Sequence, residues 1–428
     1  MPADAAAVGV ASFDRMWAEL ELLGRHPDTG GYHRFAWSTV DLTLREWFRG
    51  QAQARGLDLV TDRAGNLWAW RGDPDAAASA GRAALVIGSH LDSVPDGGAF
   101  DGPLGVVSAF AALDRLDAAA GGTYRPARPL GIACFSDEEG ARFGIACGGS
   151  RILTGALAAD RARSLRDADG TTMAEAMRAA GHHPDQVGPD PETLRRIGTF
   201  VELHVEQGRA LADPDHPAHG HPVAVGEAIW PHGRWRMDLL GRADHAGTTR
   251  LADRDDPMLT LAAVITQARA AAERHGCVAT VGKLAVQPNG VNAIASRVSA
   301  WLDARGENPD AVRAAVSEIE AVAGTAAVQE SWTDATIFDE QVTTRLARLL
   351  GDKALGADGN PVPILATGAG HDAGILAGAG IPSAMLFVRN PTGISHSPAE
   401  HAERPDCLAG VGALAAVVAD LAGSREPT

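Results

Sequence analysis

The segment HLDSVPDGGAFDG begins at His90 and carries a histidine and several carboxylates within a few turns of chain. His90 and Asp92 are two apart, so an extended chain puts them on one side. A carboxylate beside an imidazole is the usual device for orienting a metal-binding ring. Asp101 follows in a glycine-rich turn, where backbone can crowd close to an ion. A second cluster, Asp137-Glu138-Glu139, sits in SDEEG. Neighbouring side chains of an extended chain diverge, so one carboxylate can ligate a metal while the other works as a base. His204 in ELHVEQG, His371 in GAGHDA and His396 in GISHSPAE complete the inventory. Each has an ordinary structural explanation when taken alone. As a set, mixed nitrogen and oxygen donors suit Zn2+, and also Mn2+, Co2+ or Ni2+.

These clusters need elements to hold them. Short apolar runs precede most of them: residues 83–88 (AALVIG), 130–135 (LGIACF), 199–203 (TFVEL) and 383–388 (SAMLFV). Helix-compatible stretches, such as 106–119 and 173–180, lie between, and the region from Trp17 to Trp47 also has helical character, broken at Gly30 and Gly31. Strands alternating with helices predict an α/β fold, a sheet with parallel strands flanked by helices. Ligands bind such sheets beyond the carboxyl ends of the strands, which is where each cluster falls.

Residues 222–335 read differently. Strand-like alternation in RWRMDLLG, RVSAWLDAR and AAVQESWTDATIF, with helices near 256–275 and 309–323, predicts a smaller α+β domain. It is inserted into a catalytic domain of residues 1–221 and 336–428. The loop at 210–221, with His216, His219 and His221, has no spacing suited to a closed metal site and reads as solvated.

The chain has 428 residues, enough for two domains. Its formal net charge of -16 argues against a nucleic-acid partner. Four scattered cysteines without CxxC spacing fit free thiols in a reducing cytoplasm. No apolar stretch reaches the length of a membrane span, and the first residues lack the basic segment of a signal peptide.

GGYHR, DRAGNL, GSHLDSVPDGGAFDG, SDEEGARFG, ELHVEQG, ADHAGTTR, PNGVNAI, DAR, GAGHDA and GISHSPAE occur in this order along nearly the whole chain. In them the chain resembles the hydantoinase/carbamoylase amidases, a branch of the di-zinc aminoacylase and carboxypeptidase-like hydrolases. That branch includes N-carbamoyl-L-amino-acid hydrolases, β-ureidopropionases and allantoate amidohydrolases. The resemblance implies two divalent metal ions per subunit, Zn2+ foremost. His90, Asp101 and His204 would hold one, and Asp101, Glu139 and His396 the other. It implies Asp92 as the group orienting His90, and Glu138 as general base. Gln207, Asn292, Arg305 and His371 would line the substrate site, Arg305 binding a carboxylate. The inserted domain would be a lid and dimerisation domain, its His245 reaching the partner subunit's site in a homodimer.

Three strings depart from the common pattern: Arg250 after HAGTT, VNAIAS around Asn292, and FVRNPTGISH with Arg389 and Asn390. None touches an implied ligand. Arg389, just past an apolar strand, is a candidate for a second acidic or polar substrate group, or else a surface ion pair. The first reading favours allantoate, then N-carbamoyl- or N-formyl-glutamate and aspartate. An aminoacylase or dipeptidase on the same scaffold is an alternative, disfavoured by His204 with Gln207 in HVEQG. A catalytically dead scaffold protein is another, disfavoured by the intact Glu138 and ligand set.

Overall fold

The computed structural model describes residues 3–353 and 360–424. It divides into two compact units, Met1–Glu227 with Ile337–Thr428, and Ala228–Thr336.

In the first unit, four mutually parallel strands form the middle of a nine-stranded mixed sheet. They are Leu130–Phe135, Ala84–His90, Ile197–Val205 and Ser383–Val388, in that spatial order. Nearly every residue of these strands is buried, as expected for parallel strands covered on both faces. Antiparallel strands extend the sheet on both sides, Leu67–Arg71 beside Leu130–Phe135 and Val223–Ile229 beside Ser383–Val388. The helix Pro103–Ala119 is apolar almost all round and packs against the helices Ala3–Leu20 and Arg404–Leu421, the placement expected of a helix with no polar face.

The Val223–Ile229 pairing corrects the inserted segment's boundary. The strand Val223–Ile229 belongs to the large sheet, and the second unit starts at Ala228. That unit is a four-stranded antiparallel sheet, ordered Val328–Thr333, His232–Leu240, Arg297–Arg305 and Val278–Gln287. Residues of alternating burial along His232–Leu240 and Arg297–Arg305 pack against the helices Pro257–His275 and Pro309–Ala323. Among the described residues, no helix is long and apolar enough to cross a membrane.

Candidate metal centre

Parallel strands end on one edge of the sheet, so His90 and His204 at two strand ends meet the turns after Phe135 and Val388. Asp101 enters from the turn before the helix Pro103–Ala119. Gly102, at φ 83°, permits this. A Cβ there would lie 2.4 Å from His90 Cε1, so a side chain at that position would occupy the space of the histidine ring.

Asp101 is shared between two donor groups. Its Oδ1 lies 3.4 Å from His90 Nε2 and 3.1 Å from His204 Nε2. Its Oδ2 lies 3.5 Å from His396 Nε2, which is 3.6 Å from Glu139 Oε2. Among the described residues, His90 with Asp101 and His204, and Asp101 with Glu139 and His396, have donor atoms within 4.8 Å of one another. A tetrahedral site with bonds of about 2.0–2.2 Å has donor-to-donor edges of about 3.3–3.6 Å. The observed spacings fit that cradle. His90 Nε2 and Glu139 Oε1 are buried without hydrogen-bond partners. Buried polar atoms rarely stay unpaired, so these two fit a metal centre. His216, His219 and His221 are in neither group.

Backbone carbonyls fix the ring orientations. His90 Nδ1 donates to the Asp92 carbonyl at 3.1 Å, and His204 Nδ1 to the Val205 carbonyl at 2.9 Å, aiming each Nε2 at Asp101. This changes the role expected of Asp92. Its carboxylate lies 3.6 Å from the His90 ring nitrogen, but accepts the amides of Glu138 at 3.2 Å and Glu139 at 3.0 Å. Asp92 therefore sets the SDEEG turn as well as the ring.

Burial and neighbouring charge shift the titration of the cluster's groups. Burial opposes a charged His90, yet the charges of Glu138, Asp101 and Asp92 raise it well above the usual histidine range. Burial also opposes a charged Asp101, but the surrounding histidines hold it well below the carboxylate range. Its hydrogen bond with Asp101 raises His396 to about 9. Burial raises Glu139 to about 7 and Glu138 well above its ordinary value. His371, buried with its ring centroid 4.5 Å from that of His204 and tilted against it, is pushed well below the usual range, mainly by burial.

Several residues shape the site without having been singled out in the sequence. Glu400 accepts the amides of Phe100 and Asp101, both at 2.9 Å, and the Ser395 hydroxyl at 3.0 Å. Asn66 accepts the Ser136 amide at 2.9 Å and donates to Gly149, while Asp62 caps Asn66. Arg45 donates to the Ser136 hydroxyl at 2.7 Å. The family strings DRAGNL and HSPAE contained Asp62, Asn66 and Glu400, but not the contacts that give them work.

The expected substrate residues separate. Gln207 donates to Asp101 Oδ2 at 2.8 Å, with its own Oε1 buried and unpartnered. His245, Asn292 and Arg305 belong to the second unit. His245 is exposed, and its Nδ1 accepts the amides of Gly247 at 3.0 Å and Thr248 at 3.2 Å. Its Nε2 is thereby left as the N–H donor. Asp244–His245 pairs with Ala293–Ile294, next to Asn292. Arg305 is gripped by Asp303 at 2.7 and 3.0 Å. Arg389 forms the ion pair that was one of its two expected readings. Its Nε and Nη2 bind the two oxygens of Asp406 at 2.8 and 3.0 Å, a bidentate pair with the helix Arg404–Leu421.

Fold and site together describe an α/β protein with a centre suited to divalent metal ions. Residues 86–420 match Peptidase family M20/M25/M40, and the chain belongs to that family. It is 34% identical over 422 residues, 96% of this chain and 98% of the relative, to the N-carbamoyl-L-amino acid amidohydrolase of Geobacillus stearothermophilus. It is 30% identical over 418 residues, 95% of this chain and 96% of the relative, to the allantoate amidohydrolase of Escherichia coli strain K12. A hydantoinase/carbamoylase family amidase from Burkholderia vietnamiensis shares its fold with a TM-score of 0.81 and 29% identity, covering 97% of each chain. Within the family, the chain is an amidohydrolase that acts on C–N bonds other than peptide bonds.

Proposed function

We propose that the chain hydrolyses a small, carboxylate-bearing N-carbamoyl or ureido compound with two divalent ions, Zn2+ foremost. His90, Asp101 and His204 hold one ion, and Asp101, Glu139 and His396 the other. The observation that carries this reading is the shared Asp101 carboxylate, one oxygen facing each histidine group. The names of the two relatives supply the substrate class.

Bound ions of this kind supply Lewis acidity and lower the pKa of water toward neutrality. The protein supplies the rest. Glu138, with Oε2 3.8 Å from His90 Nε2, takes the proton of the attacking water and returns it to the leaving nitrogen. His245 Nε2–H donates to the oxyanion that develops at the carbonyl. Arg305, aimed by Asp303, anchors the substrate carboxylate. Gln207, Asn292 and His371 line the site.

The lid's own geometry supports a homodimer. Arg297 pairs with Leu240 at one end of the sheet and Arg305 with His232 at the other. Eight residues of strand rise separate them, about 26 Å. His245 and Asn292 lie beyond the Arg297 end. One small substrate is too short to span both ends of a single lid, which supports His245 and Asn292 acting on the partner's substrate. The edge strand Val278–Gln287 exposes Val278 and Leu284, and the helix Pro257–His275 exposes Leu259 and Ile265, which suits a subunit interface. Four free cysteines suit the reducing cytoplasm.

A substrate panel tests the function. Metal-loaded enzyme should release ammonia from allantoate or N-carbamoyl amino acids, and no amine from dipeptides. Turnover of dipeptides in preference to every carbamoyl, ureido and formyl compound would overturn the reading.

A further inference from the structure

The SDEEG turn closes on a cysteine. Cys147 and Gly148 donate their amides to the carbonyls of Glu138 and Asp137, and Gly149 to that of Ser136. Cys147 is 2% exposed and left-handed, at φ 55°. Its Sγ lies 3.2 Å from Glu138 Oε1. Among the described residues, this is the hydrogen bond made to the Glu138 carboxylate; the other oxygen, Oε2, faces His90 Nε2. Burial, with the nearby charge of Glu138, raises the Cys147 thiol well above its usual range and keeps its proton in place.

We propose that Cys147 is a positioning residue for Glu138, its S–H holding Oε1 so that Oε2 is turned toward the metal-ligand cluster. The inference rests on the reading of Glu138 as general base. A buried carboxylate without this donor has no partner to choose its rotamer, and a misplaced base loses rate without losing substrate affinity. A thiol is a weak donor, but in a dry site even a weak bond selects between otherwise equal orientations.

The test compares kcat, KM and bound metal in metal-loaded wild-type, Cys147→Ala and Cys147→Ser enzymes, and repeats Cys147→Ala in a Glu138→Gln background. All variants keep a side chain on the same left-handed backbone. Cys147→Ala should lower kcat about five- to tenfold, with KM and metal content near wild type. Cys147→Ser should recover most of the loss, and Cys147→Ala should cost nothing further in Glu138→Gln, because the two act as one unit. An unchanged kcat in Cys147→Ala, or an equal loss in both backgrounds, overturns the proposal. Should Cys147→Ala fold poorly, infrared spectroscopy decides: the Cys147 S–H stretch, assigned by its loss in Cys147→Ser, should lie lower in wild type than in Glu138→Gln. An identical stretch overturns the proposal. A Glu138→Gln enzyme that keeps full turnover instead removes the base assignment itself.

Discussion

Asp101 Oδ2 faces His396 Nε2 across 3.5 Å, and this carboxylate favours the protonated imidazole. His396 is raised to about 9 and Glu139 to about 7. Both folded values lie above the ordinary ones, so their proton-linked stability is present at low pH. It is lost as pH rises through about 7 for Glu139 and about 9 for His396. Metal ligands must be deprotonated, so binding gains over the same window. The metal-free Tm should fall from pH 6 to pH 9, while the rise in Tm on adding Zn2+ or Mn2+ should grow. Calorimetry of both forms checks this, and a metal-induced rise that shrinks with increasing pH would contradict it.

The adjacent carboxylates should give opposite phenotypes. Glu138→Gln should keep its metal and lose about a hundredfold or more of kcat, the scale of general acid–base catalysis. Glu139→Gln should bind metal more weakly and recover activity as metal is added. Metal analysis beside kinetics separates them, and reversed phenotypes would mean the pair is assigned backwards.

Removing Arg389 should cost stability rather than selectivity. Asp406 is buried, and losing its bidentate partner leaves a carboxylate unpaired, a penalty of about 1–3 kcal/mol. Arg389→Ala should therefore lower the denaturation midpoint while leaving unchanged the ratio of kcat/KM for acidic over apolar N-carbamoyl amino acids. A selective loss on acidic substrates would instead give Arg389 a recognition role.

If His245 and Arg305 serve one substrate from two chains, defects in separate chains should complement. Mixing His245→Ala with Glu138→Gln subunits should regenerate one good site per heterodimer, giving activity well above either parent. Verified subunit exchange without recovery would place His245 in its own chain's site or outside catalysis.

Much of this was legible in the sequence because apolar runs ending in polar clusters are a strong signal. Leu130–Phe135 and Ser383–Val388 have the bounds that their composition suggests. The inserted domain starts at Ala228 rather than Pro222, because Val223–Ile229 joins the large sheet. Its assignment depends on pairing with Ser383–Val388, far along the chain. Arg389 follows the same logic: its place after a strand was readable, but Asp406 lies on a helix whose docking no local pattern encodes. Asp92 was read through its spacing from His90, which says nothing of the Glu138 and Glu139 amides that fold onto it. Cys147 looked like one of four scattered thiols, and only the closure of the turn brings it to Glu138.

The most direct measurement is anomalous diffraction from Zn2+-loaded crystals, paired with ammonia release before and after chelation. The account predicts two peaks that share Asp101, one against His90 and His204, the other against Glu139 and His396. It also predicts activity that disappears on chelation and returns with metal. Peaks elsewhere, or full turnover after exhaustive removal of metal, would contradict it.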